Sequence, residues 1–71
     1  MNSTEIAKLQ AYLRDTFNND SIVVKKRAAT TDSVELLLGD EFLGVIYKDV
    51  DEGEVSYPVT MTILQEDLPE L

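Results

Sequence analysis

From Val34 to Ile63, apolar side chains recur at alternate positions on either side of two turn signals, and that alternation constrains the chain more than any other feature. Gly39-Asp40 suits a two-residue hairpin turn, which sets Leu36 opposite Leu43 and Val34 opposite Val45. Asp51-Glu52-Gly53 suits a three-residue turn with Gly53 left-handed. That turn sets Tyr47 opposite Tyr57, Val45 opposite Val59 and Leu43 opposite Met61. Both registers gather Val34, Leu36, Leu38, Leu43, Val45, Tyr47, Tyr57, Val59, Met61 and Ile63 on one face. A face so apolar needs a cover.

The cover is supplied upstream. Ile6, Leu9, Leu13 and Phe17 fall at helical spacing with Tyr12 on the flank, Asn2 or Ser3 is placed to cap, and Asn18-Asn19 is a plausible left-handed stop. Residues 21–27 are β-branched and end in Lys25-Lys26-Arg27, a run that either discourages edge-to-edge pairing or offers a small anion or partner site. Residues 28–33 read as a polar loop. Pro58 lacks an amide donor and so places the last strand at a sheet edge, while Gly44 marks a bulge or a close approach of backbone. The expected fold is α+β: one N-terminal helix over residues 3–17, packed on a four-stranded antiparallel meander. The strands are expected at 21–27, 34–38, 42–49 and 55–64, with a frayed acidic tail at 65–71 and all of 1–71 in one domain.

Seventy-one residues support only a small core, which usually calls for disulfides, a metal or self-association. The chain has no cysteine and no histidine, which leaves out disulfide scaffolds, zinc clusters and imidazole chemistry. Asp49 to Glu54 resembles a calcium loop only superficially, because glycine comes fifth instead of sixth and Thr60 stands where the bidentate glutamate belongs. The serines have no histidine beside them and the carboxylates sit in turns, so the expectation is no enzyme, no catalytic residue, no cofactor and no metal. The longest apolar stretch is far too short to span a membrane, and nothing at the N-terminus reads as an export signal.

The net charge of −8 is divided unevenly. Residues 1–27 carry Lys8, Arg14, Lys25, Lys26 and Arg27 against Glu5, Asp15 and Asp20, whereas residues 28–71 carry only Lys48 against eleven acids. This balance repels nucleic-acid phosphate and anionic membrane, favours solubility, and leaves open a basic partner or mimicry of nucleic acid. On the outer sheet face, Leu37, Phe42, Ile46 and Pro58 are expected to form an apolar patch rimmed by Glu35, Lys48, Ser56, Thr60 and Thr62. The patch suggests a homodimer or protein-partner interface. Leu64 and Leu68 folding over it, or ordinary scattered surface residues, would account for it equally.

The run Leu38-Gly39-Asp40-Glu41-Phe42-Leu43-Gly44-Val45-Ile46-Tyr47, with Asp51-Glu52-Gly53-Glu54 and Ser56-Tyr57, resembles a family of short alphaproteobacterial proteins of unknown function. The segments Lys8 to Leu13 and Met61 to Leu68 fit the same family. The resemblance implies a bacterial cytoplasmic protein and names no chemistry. The expected function is a small non-enzymatic module that binds a protein or a second copy of itself.

Overall fold

The structure, a computed structural model, describes residues 1–27 and 32–71. Helix α1 (Ser3–Phe17) is followed by strands β1 (Ile22–Lys26), β2 (Ser33–Leu38), β3 (Glu41–Tyr47), β4 (Asp49–Asp51), β5 (Glu54–Ser56) and β6 (Val59–Met61), and a 3-10 turn closes the order at Gln65–Asp67. The strands form an antiparallel sheet of order β1-β2-β3-β6 and a two-stranded ribbon of β4 and β5. The fold is therefore α+β, as expected, with the small ribbon as an addition. The ribbon arises because the long hairpin leaves the main sheet at Lys48 and rejoins it after Pro58, whose carbonyl accepts the Tyr47 N–H at 2.9 Å. Of the polar loop expected at 28–33, residues 28–31 lie outside the described residues, and Ser33 already belongs to β2.

Helix α1 begins with a reciprocal cap. The Glu5 N–H donates to Asn2 Oδ1 at 2.8 Å and the Asn2 N–H donates to Glu5 Oε1 at 3.2 Å, which satisfies two of the donors that a helix start leaves free. The helix stops at Asn18, whose left-handed backbone (φ 50°) turns the chain toward β1. Two helix side chains then reach the edge of the sheet. Arg14 Nε donates to the Ile22 carbonyl at 2.7 Å, and Gln10 Oε1 accepts the Val24 N–H at 3.1 Å. The helix thus occupies backbone groups that an edge strand otherwise leaves open.

The register of β3 differs from expectation on both sides. Between β2 and β3 the pairs run Leu38↔Glu41 and Leu37↔Phe42, then jump to Leu36↔Gly44 and Val34↔Ile46, so Leu43 is the extra residue of a β-bulge. Between β3 and β6 the pairs are Gly44↔Met61, Val45↔Thr60 and Ile46↔Val59. The distal turn has two residues, not three, because Glu52 (φ 49°) and Gly53 (φ 81°) are both left-handed and Asp51 pairs with Glu54. The two one-residue shifts have the same sense. Beyond Phe42 they turn β3 over while leaving β2 and β6 as expected.

Gly44 makes this register possible. A Cβ there would drive into the Thr60 carbonyl oxygen and crowd Met61 Cα at 3.0 Å, so only glycine lets β3 and β6 approach so closely. The core that results consists, among the described residues, of Leu13, Ile22, Val24, Val34, Leu36 and Ile46, with Met1, Ile6, Leu9, Leu38, Leu43 and Tyr57 packed against it. Ile46 is the centre of this core at 0 % exposure. Its expected place in an outer-face interface is corrected accordingly: the bulge sends it inward and sends Val45 and Tyr47 outward.

Candidate binding groove

A helix body is about 10 Å across, whereas strands lie about 4.8 Å apart, so one helix spans little more than two strands of a four-stranded sheet. Helix α1 is bound to β1 by Arg14 and Gln10, which fixes its cover at the β1–β2 side. The inner face of β6 is left bare: Val59 is 48 % and Met61 54 % exposed although both share the face of Ile46. Between α1 and β6 lies a groove of ≈ 520 Å³. Ile46, Leu13 and Leu9 form its apolar base, Tyr12 and Val59 its open sides, and Glu5, Lys8 and Tyr57 its polar end and rim.

The polar end is held by one carboxylate. Glu5 Oε2 takes an ion pair from Lys48 Nζ at 2.6 Å and a hydrogen bond from the Tyr57 hydroxyl at 2.9 Å, while Glu5 Oε1 accepts the Asn2 N–H of the helix cap. The Lys48 hydrogen bond, followed by those from Asn2 and Tyr57, lowers the Glu5 pKa from 4.5 to about 2. Lys48 is raised, chiefly by its bond to Glu5, and Tyr57 is raised by the same carboxylate and then by burial. All three shifts favour the bonded forms, an ionised Glu5, a protonated Lys48 and a protonated Tyr57. The trio ties the start of α1 to the root of the β4–β5 ribbon and closes one end of the groove.

The residues read from sequence as an interface are divided by the fold. Leu37 and Phe42 pair on the outer face, where Leu37 is half-buried and Phe42 is 52 % exposed. Pro58 is exposed beside Tyr47 rather than beside Ile46, and Ile46 lies at the base of the groove on the opposite side. Tyr47 and Tyr57 do not face each other, since Tyr57 turns inward to Glu5 and Tyr47 turns outward. In the basic run, Lys25 pairs across strands with Glu35 and Arg27 donates to Ser33 Oγ at 3.3 Å. Among the described residues no group of three or more Asp or Glu is placed to hold a metal ion, and no helix is long and apolar enough to cross a membrane.

Residue periodicity alone does not reveal the groove. Its signal lies in a mismatch, a helical stripe of four apolar residues set against a sheet face of ten. Residues 5–67 match the model of the family described as "Protein of unknown function (DUF3126)", and the chain belongs to that family. Comparison with curated proteins and with solved structures finds no match.

Proposed function

We propose that this family member is a small non-enzymatic binding module whose working surface is the groove between α1 and β6, and that it takes a protein chain there. The observation that carries this reading is the uncovered inner face, where Val59, Met61 and Tyr12 stand in solvent next to a well-packed core. A groove with an apolar base and a few polar groups at one end suits an apolar side chain or short segment better than it suits catalysis. The trio at its end is already spent on itself, with Glu5 bonded on both oxygens. A cysteine-free chain fits a reducing cytoplasmic setting.

The outer-face pair Leu37 and Phe42 is the competing surface, and a single comparison separates the two. Sedimentation over a concentration series, alone and with captured protein partners, is expected to show association that Val59→Lys removes and Phe42→Lys leaves intact. Loss in Phe42→Lys alone would return the binding surface to the outer face. Both substituted side chains are about half exposed, so neither change is expected to unfold the chain.

A further inference from the structure

The chain carries more surface than its mass requires. A folded monomer of 8.0 kDa is expected to expose about 4,450 Å², whereas this one exposes 5660 Å². The excess, about 1,200 Å², exceeds the roughly 800 Å² that each partner contributes to a stable interface of standard size. The shape agrees, since the radius of gyration is 13.4 Å where about 11 Å is expected for this length.

The segment after β6 is exposed along its whole length, as are both strands of the β4–β5 ribbon. Ile63 is 67 % and Leu68 57 % exposed, Leu64 is half exposed, and the turn between them is formed by the Asp67 N–H to the Leu64 carbonyl at 3.0 Å and the Leu68 N–H to the Gln65 carbonyl at 3.1 Å. The segment is shaped, apolar along one part and acidic along the other, with Glu66, Asp67 and Glu70 and no base. Its own groove holds none of it, because no residue beyond Val59 lines that groove and β6 carries the chain past Met61, away from the Tyr57 end.

We propose that the groove between α1 and β6 is filled by the Ile63–Leu68 segment of a second copy of this chain, and reciprocally, across a two-fold axis beside β6. This rests on the groove being the binding surface. The apolar side chains Ile63, Leu64 and Leu68 then cover Val59, Tyr12 and Leu9, and the acids of the segment meet Lys8 on the rim. Because the same two patches meet twice, the contact is self-complementary and closes at two copies.

The absence of cysteine makes the test direct. Full-length chains carrying Tyr12→Cys and Leu68→Cys are mixed under mild oxidation with oxidised glutathione, and a disulfide-linked species of about 16 kDa, twice the 8.0 kDa chain, is expected. Leu64→Lys and Leu68→Lys, placed on exposed residues, are expected to weaken self-association at least about tenfold with the far-ultraviolet circular dichroism unchanged. Equimolar mixing of Val59→Lys with Leu68→Lys is expected to restore part of the dimer, since one of the two reciprocal contacts is then intact. A chain bearing both cysteine substitutions that links only within itself at 8.0 kDa would show the segment covering its own groove and overturn the proposal. A dimer untouched by Leu64→Lys and Leu68→Lys would overturn it as well. If the chain stays monomeric yet binds another protein in a Val59-dependent way, the second copy is wrong and the groove reading stands. If Val59→Lys changes nothing, both fall.

Discussion

Glu5 joins the helix cap to Lys48 and Tyr57, which lie far along the sequence at the root of the β4–β5 ribbon. Its carboxyl has an ordinary pKa of 4.5 and titrates near 2 when folded, so the folded state binds the proton less tightly than the unfolded state. A depressed carboxyl contributes stability that is fully present above pH 4.5 and is lost as the pH falls toward 2. Glu5→Gln is therefore expected to lower the denaturant midpoint at neutral pH and to flatten its fall across that acid window, which chemical denaturation at a series of pH values will show. The raised pKa values of Lys48 and Tyr57 act at the other end. Their contribution is present below their unfolded values and is lost as the pH rises through the folded ones.

Strand β3 shows how much one element's register decides. Gly44→Ala places a methyl group against the backbone of β6, a contact that no rotamer can relieve. Overpacking of this kind costs about 1–3 kcal/mol, which in a chain this short lowers the Tm by several degrees or more, and calorimetry will measure it. The helix and its caps were legible because Ile6, Leu9 and Leu13 repeat at helical spacing behind Asn2. The two hairpins are legible from their glycine turns, although the distal turn has two residues where three are expected. The inward face of β3 was not, since Leu43, Val45 and Ile46 are all apolar and the pattern accepts either face. What decided between them was the bulge at Leu43 and a glutamate accepting a left-handed turn, neither of which alternation records. The groove escaped for a related reason: side-chain pattern says that a helix covers a sheet, but not which strands it covers.

At the scale of the whole molecule the small core and the large surface belong together. Among the described residues six apolar side chains are buried, while Tyr12, Val59, Met61, Ile63, Leu64 and Leu68 are at least about half exposed. A chain that completes its packing against another copy gains stability by mass action. The Tm of the wild-type protein is expected to climb over a hundredfold range of concentration, and that of Val59→Lys to stay flat. Scanning fluorimetry on the tyrosines at several dilutions will distinguish the two behaviours.

The side chains of Gln10 and Arg14 on the backbone of β1 carry a consequence for growth. A sheet open at both margins can recruit copies without limit, which is the route to fibres. Here the Ile22 carbonyl and the Val24 N–H on the β1 margin are already taken by the chain's own helix, which leaves β6 as the more open margin of the main sheet. On the proposed pairing, two copies meeting there would each use the open β6 margin of the main sheet, and the assembly would end at a pair.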